Sequence, residues 1–334
     1  MIYRIGSFNV KNLSWGLKKS RDLDFIANII KEFDIIALQE VLSEGKILEG
    51  PTLKDVSGQA AAYEHSLRYR LGDNWDMCWL DPKTDSKWYP YLGDDRRGEG
   101  YAFLWRKDRF QCPVNERGVE VRPRIYRRYK PDYASGELRL MRDPGYGRFQ
   151  CVDMPNAEIR LITTHIVFGK PKEDNLRKII DHGSATMRKK EFLVLAHSIY
   201  TRISEDYNDI NSNVPYTIIL GDYNLNLPDS YAGSPYVPDY VVLDAQSNVI
   251  SRYQYEEKGV YQINTVQSDL STINDSGDNY ASNYDHFSFD DHTGRSIVKG
   301  TPHRLNSVER IGSHQTYKEA VSDHIPIMLE IDLK

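Results

Sequence analysis

The stretch Thr217-Ile218-Ile219-Leu220-Gly221-Asp222-Tyr223-Asn224 carries an apolar, strand-like run, Thr217–Gly221, straight into a turn of polar oxygen donors. An apolar run of this length bounded by glycine reads as a buried strand, and the Asp and Asn that follow it stand at the strand's end. Similar runs recur at Ile2–Val10, Asp34–Gln39, Tyr101–Trp105, Gly118–Val121, Arg148–Val152, Glu158–His165, Asp285–Phe289 and Ile325–Ile331. Between them, Ser20–Phe33 places Leu23, Ile26, Ile30 and Phe33 on one helical face behind Ser20 as N-cap, and Asn175–Ile203 is a longer helical tract. Leu227–Pro238 and Tyr261–Tyr284, rich in Ser, Asn, Asp, Gly or Pro, read as long surface loops. The expected fold is an α/β four-layer sandwich, with two packed, mostly antiparallel β-sheets flanked by helices. Residues 1–334 are expected to form one domain, since 334 residues with 40% apolar content can bury a sizeable core.

The remaining composition mainly excludes. The formal charge of −5, from 43 basic and 48 acidic residues, gives no global attraction to a polyanion, so any nucleic-acid surface must be a local patch. Three cysteines, Cys78, Cys112 and Cys151, are odd in number and lack CxxC spacing, which argues against a disulfide framework or a thiolate zinc site. The N-terminal MIYRIGSFNV lacks the basic-then-apolar form of a secretory signal, so a cytoplasmic location is expected, or secretion where a signal has been removed. No apolar run approaches the roughly 20 residues that span a bilayer, and neither a membrane nor an obligate protein partner is expected.

Short polar motifs stand where the expected strands end: Ser7-Phe8-Asn9-Val10, Leu38-Gln39-Glu40-Val41, Thr164-His165, Gly221-Asp222-Tyr223-Asn224, Tyr284-Asp285-His286 and Ser322-Asp323-His324-Ile325-Pro326. Singly, each has an ordinary structural explanation as a turn, a cap or a packed histidine. Together, acidic and amide oxygens with two histidines are the inventory of a hard-cation phosphoryl-transfer site.

In that order the set resembles the endonuclease/exonuclease/phosphatase family, from Ser7 to Pro326. The resemblance implies that Glu40 is the principal Mg²⁺ ligand, with Mn²⁺ as a substitute, and that Asn9 and Asp323 help hold metal or phosphate. It further implies that Asp222 and Asn224 orient the nucleophile and the scissile phosphate, and that His165 and His324 contact the phosphate or act as acid and base. Asp285 is the expected carboxylate partner of His324, and Glu99 that of His165. Glu99 just before an aromatic strand, and Arg142-Asp143-Pro144, resemble the DNase I-like branch, in which the arginine reaches the phosphate backbone. The alternative for Glu99 is an ordinary exposed carboxylate. Arg97 stands where that branch has a groove-stacking tyrosine, the branch's disulfide cysteines are missing, and its calcium-binding loops are not recognisable, so structural Ca²⁺ is not expected.

Arg117, Arg122, Arg124, Arg127, Arg128 and Lys130 form a basic segment opposed within it only by Glu120, and Tyr126, Tyr129 and Tyr133 interleave with or follow it. Such a segment can neutralise phosphates, with Arg124, Arg127 and Arg128 as substrate contacts and the tyrosines stacking on bases or sugars; the alternative is a solvated basic loop. The expected function is a Mg²⁺-dependent, DNase I-like endonuclease acting on nucleic acid, duplex DNA above all. The alternative is a phosphatase or phospholipid phosphodiesterase of the same fold, of the inositol-phosphate phosphatase or sphingomyelinase type. A binding protein with a dead site is disfavoured, because every expected catalytic residue type is present.

Overall fold

In the computed structural model, described over residues 1–14, 21–42, 46–50, 63–81, 99–129, 140–167, 188, 191–192, 194–205, 214–225, 235–236, 263–266 and 269–333, the strand alternation read from the sequence becomes two faces of two sheets. In chain order the elements begin with β1 (Ile2–Leu13), α1 (Leu23–Ile30), β2 (Ile35–Val41), α2 (Lys46–Glu49), α3 (Leu67–Leu71), β3 (Trp75–Leu80), β4 (Gly100–Arg106), β5 (Phe110–Gln111) and β6 (Arg124–Ile125). They continue with β7 (Gly145–Cys151), β8 (Ala157–His165), a π-helical turn (Leu195–Tyr200), α4 (Thr201–Glu205), β9 (Val214–Asp222), β10 (Pro235–Tyr236), β11 (Ile263–Val266) and β12 (Asp285–Asp290). The last are α5 (Asp291–Ile297), β13 (Val298–Arg304), α6 (Ser307–Ile311), α7 (His314–Ala320) and β14 (Ile327–Asp332).

One sheet has the order β13-β14-β1-β2-β4-β3, and the other β10-β11-β12-β9-β8-β7-β5 with β6 also on β7. Only β1–β2 and β8–β9 are parallel among these pairs. Tyr3, Ile5, Ile35, Ala37, Phe103 and Trp105 of the first sheet pack on Phe149, Ile159, Leu161, Ile218, Leu220 and Phe287 of the second, forming the inner layer of the core. The opposite face of the first sheet, with Phe8, Ile36 and Leu38, is covered by Leu23, Ile26 and Ile30 of α1 and by Val308 and Tyr317 of α6 and α7. The outer face of the second, with Ile162 and Ile219, is covered by Phe192, Leu195 and Ile199. Helix, sheet, sheet and helix therefore stack in the expected four layers.

Local expectations differ at several places. The N-cap of α1 is Asp22, whose carboxylate accepts the Phe25 N–H at 2.9 Å; Ser20 lies outside the described residues. Gly118–Val121 is a turn held by an isolated bridge, Val114 to Glu120, rather than a strand. Tyr261–Tyr284 contains β11 and further bridges from Thr272 and Ile273. Most of Leu227–Pro238 and of Asn175–Ile203 lies outside the described residues, apart from β10 and the helical turns already named. Strands β3 and β13, with the two-residue β5 and β6, are not among the runs read from the sequence. β13 is an edge strand with Gly300, Pro302 and a register shift, which leaves little apolar alternation to detect. All three cysteines are free, with Cys112 and Cys151 buried.

Candidate active site

Along the inner layer, each central strand changes from apolar to polar at the same end. On β1 the inward positions run Tyr3, Ile5, Ser7, Asn9; on β2, Ile35, Ala37, Gln39; on β8, Ile159, Leu161, Thr163, His165; on β9, Ile218, Leu220, Asp222. The antiparallel β4 and β12 arrive from the other direction, through Phe103 and Tyr101 to Glu99 and through Phe287 to Asp285. Register then aligns them: Asn9 stands beside Gln39, His165 beside Asp222, and Asp222 beside Asp285. Gln39 Nε2 donates to Ser7 Oγ at 3.2 Å and to Thr163 Oγ1 at 3.0 Å, a polar crosslink between the sheets beneath the site.

Strict alternation would turn Glu40 toward the helices. Instead β2 is bulged there: Gln39 pairs with Tyr101 and Val41 with Gly100, and Glu40 has φ +61°. The Trp79 indole N–H donates to Val41 O at 3.1 Å, and it fits because Gly100 has no Cβ, which would stand 2.1 Å from that nitrogen. Strand β1 is irregular opposite, with Lys11 and Asn12 at φ +43° and +55°. The Asn9 side-chain amide donates to Glu40 Oε1 and Asp222 Oδ2, both at 3.0 Å, while its oxygen accepts the Lys11 N–H at 2.9 Å. The Asn12 N–H donates to Glu40 Oε2 at 3.0 Å. Asn9 thus joins the two carboxylates as a donor rather than offering them an oxygen. Burial first, and then Glu99, pushes the Glu40 carboxyl above its ordinary range.

The two histidines are held differently. His324 Nδ1 is 2.9 Å from Asp285 Oδ2, and that oxygen also accepts from Ser271 Oγ at 2.7 Å. Burial works against its imidazolium, but Asp285 and Asp222 outweigh burial and hold His324 up at about 10. At His165, Arg142 Nη1 lies 2.8 Å from Nδ1, and Glu99, ion-paired with Arg142, stands 3.7 Å away. A guanidinium only donates, so Nδ1 accepts and the ring proton sits on Nε2. Burial first, and then Arg142, pushes the His165 pKa well down. The expected Glu99 support therefore acts through Arg142. Asp222 Oδ2 lies 3.5 Å from His165 Nε2 and 3.6 Å from His324 Nε2, while Oδ1 accepts the Asn224 N–H at 2.9 Å. Burial pushes the Asp222 carboxyl above its ordinary range, with His324 opposing. Asn224, at φ +49°, donates its side-chain amide to Ile166 O at 2.8 Å, and Arg188 holds its carbonyl.

The sequence pattern of the Endonuclease/Exonuclease/phosphatase family matches residues 6–324, a span containing every one of these side chains. The chain belongs to that family. Members are hydrolases of phosphodiesters or phosphate esters and are generally divalent-metal dependent. A protein named Deoxyribonuclease from Thioalkalivibrio sp. (strain K90mix) is 30% identical over 105 residues, 31% of this chain and 22% of that protein. The match thus spans only about a fifth of the relative's length. Among solved structures, ANGEL2, a 2',3'-cyclic phosphatase, is similar at TM-score 0.51 and 14% identity, covering 99% of this chain and 95% of that one. D. rerio TDP2 complexed with single strand DNA product is similar at TM-score 0.50 and 14% identity, covering 99% of each. These likenesses concern the fold.

Two groups fit the family's metal dependence among the described residues: Glu40, Glu99 and His165, and Asp222, Asp285 and His324, each with ligand atoms within 4.8 Å of one another. Carboxylate oxygens dominate both, which suits a hard cation such as Mg²⁺. Asp323 is in neither group; its carboxylate is ion-paired with the Lys11 ammonium. Of the basic segment, Arg124, Arg127 and Arg128 are exposed, and Arg127 Nε lies 3.4 Å from Asp143, next to Arg142. Arg122 is clamped by Asp76 at 3.0 and 3.1 Å. Tyr126 and Tyr129 are core residues rather than stacking platforms, and Tyr129 OH donates to Asp143 at 2.9 Å. Lys130 and Tyr133 lie outside the described residues, as does Arg97. Lys11, Ser271, Arg188 and Tyr101, whose hydroxyl accepts the His165 N–H at 3.2 Å, are not singled out by the sequence. Lys11 and Tyr101 continue the inward parity of their strands, a signal that could have found them; Ser271 and Arg188 carry none.

Proposed function

We propose that the protein is a divalent-metal-dependent phosphodiesterase that hydrolyses nucleic acid, with duplex DNA as its substrate class. The observation that carries this reading is the placement of Asp222 Oδ2 between the Nε2 atoms of His165 and His324, at 3.5 and 3.6 Å, and its junction to Glu40 through Asn9. Glu40 would hold Mg²⁺ or Mn²⁺, with Glu99 and Asp222 nearby; when bound, the ion supplies Lewis-acid neutralisation of phosphoryl charge. Asp222, its basicity raised by burial, accepts the proton of the attacking water. His165 offers its Nε2 proton as a hydrogen bond to a phosphoryl oxygen, held in that tautomer by Arg142. His324, kept protonated by Asp285, gives its Nε2 proton to the leaving oxygen as the P–O bond breaks.

A polymer substrate is supported by the exposed Arg124, Arg127 and Arg128, since β6 pairs with β7 immediately beyond Arg142, and by the partial likeness to a protein named Deoxyribonuclease. The test is incubation with supercoiled plasmid, linear duplex, single strands, RNA, sphingomyelin and a small phosphomonoester, each with Mg²⁺ or EDTA. EDTA-sensitive cleavage of duplex DNA is expected. Turnover of the phosphomonoester or lipid in preference to every nucleic acid would replace this reading with the phosphatase or lipid one.

A further inference from the structure

Glu40 owes its place in the cleft to a backbone irregularity, and that irregularity is pinned by a side chain from two strands away. Between Gln39 and Val41 the chain of β2 advances two residues while β4 advances one, from Tyr101 to Gly100, so Glu40 is the extra residue of a bulge, at φ +61°. A non-glycine residue keeps such a backbone only where its surroundings over-determine it. On the β1 side the Leu42 N–H donates to Leu13 O at 2.8 Å. On the other side the donor is the Trp79 indole N–H, 3.1 Å from Val41 O. Trp79 stands on the edge strand β3, and β4 lies between β3 and β2. The indole crosses β4 over Gly100, where a Cβ would stand 2.1 Å from the indole nitrogen and 2.6 Å from the adjoining ring carbon. The ring also packs against the buried layer under the helices, which includes Val41 and Met77. Apolar cover alone needs neither the missing Cβ in the ring's path nor a carbonyl acceptor at its end.

We propose that Trp79 is a positioning residue for the divalent ion: by holding Val41 O across the gap at Gly100, it fixes the bulge that turns the Glu40 carboxylate into the cleft. This rests on the reading of Glu40 as the metal anchor. The Asn9 amide and the Asn12 N–H steady the two carboxylate oxygens, each at 3.0 Å. They hold the head of the side chain and leave the course of its backbone to the bulge. An indole N–H only donates, and phenylalanine keeps an aromatic ring without that donor. Losing a group that orients a metal ligand costs about 10–100-fold in metal affinity, whereas losing packing costs stability alone.

The test measures Mn²⁺ dissociation constants by electron paramagnetic resonance on the full chain after EDTA treatment, with no substrate present, alongside thermal midpoints in EDTA. Trp79→Phe is expected to weaken Mn²⁺ binding about tenfold, with hydrolysis returning toward the parental rate at saturating Mn²⁺. Gly100→Ala, which drives the indole from Val41 O, should weaken binding comparably. The double variant should lose no more than the larger single one, because both act through one hydrogen bond. Met77→Ala, on the same face of β3 but paired with Leu104 further along β4, should lower the midpoint and keep the parental affinity. Parental affinity in a folded Trp79→Phe, or an equal loss in Met77→Ala, overturns the inference while Glu40→Gln still abolishes binding. Parental binding in Glu40→Gln, or none in the parent, overturns the metal reading and the inference with it. Gly100→Ala serves as the second variant should Trp79→Phe not fold, and parental affinity there overturns the inference equally.

Discussion

At the scale of single residues, Glu40 is the side chain whose loss separates chemistry from folding. In the metal-free protein its carboxylate is disfavoured by burial and by Glu99, so Glu40→Gln relieves that repulsion while giving up one of the hydrogen bonds its two oxygens accept from Asn9 and Asn12, and the apo thermal midpoint changes little. The same variant should lose both hydrolysis and the rise in midpoint that Mn²⁺ gives the parent. Scanning fluorimetry in EDTA and in Mn²⁺ checks this, and a retained Mn²⁺ shift would remove Glu40 as ligand. His165→Ala and His324→Ala should each slow hydrolysis by about 10² or more, as loss of an acid or a charge-stabilising donor does. A near-parental rate in either would strip that histidine of its role.

Among the elements, the parallel pair β8–β9 does most to set the distance between His165 and Asp222, which are register partners. Gly221, one residue earlier, has φ +146°, and a Cβ there would stand 2.0 Å from the Thr164 carbonyl oxygen. Gly221→Ala must therefore strain its backbone and push the two strands apart. Its expected cost is roughly 2–5 kcal/mol in urea unfolding, from overpacking and left-handed strain together, with hydrolysis falling as His165 leaves Asp222. Parental stability and rate in this variant would mean that β9 has room to shift and that the register does not set the site. The β2 bulge plays the matching part on the other sheet, turning Glu40 from the helix-covered face into the cleft.

For the whole molecule, three histidines with displaced pKa values shape the pH dependence of stability, His165 and His286 on the acid side and His324 on the alkaline side. Burial lowers His286 to about 4, so its neutral ring is accommodated in full above its unfolded value near 6.5, and stability is lost as pH falls from there toward 4. The loss amounts to on the order of 3 kcal/mol over that interval. His324 has the opposite sign: raised to about 10, its contribution is fully present below 6.5 and is lost as pH rises toward 10. In metal-free urea unfolding the parent should therefore lose more stability than His286→Asn between pH 6.5 and 4, a difference that cancels the contributions of His165, Asp222 and Glu40 common to both. An unchanged acid slope would place the titrating group elsewhere. On the surface, neutralising Arg124, Arg127 and Arg128 together should weaken duplex binding about uniformly across sequences and flatten the dependence of log affinity on log salt. A parental salt slope would make the patch a solvated face.

Much of this architecture was legible along the chain because strand periodicity is local: alternation marks the inward residues, and the change from Ile5 to Asn9 or from Leu220 to Asp222 marks the end where the site forms. The motifs at those ends supply the acidic and amide oxygens and the two histidines of phosphoryl-transfer chemistry. What periodicity does not carry is what lies across a gap. Tyr126 and Tyr129 look like stacking residues in a basic segment, yet the helix layer over the second sheet buries them. Arg142 comes between Glu99 and His165 because β6 and β7 bring that loop back over the end of β8. Lys11 meets Asp323 across 312 residues of chain, a contact set by where β1 and β14 pair and by how β1 bulges. Such pairings arise from sheet register and packing between distant segments, so local sequence determined the participants and only the tertiary structure decided who holds whom.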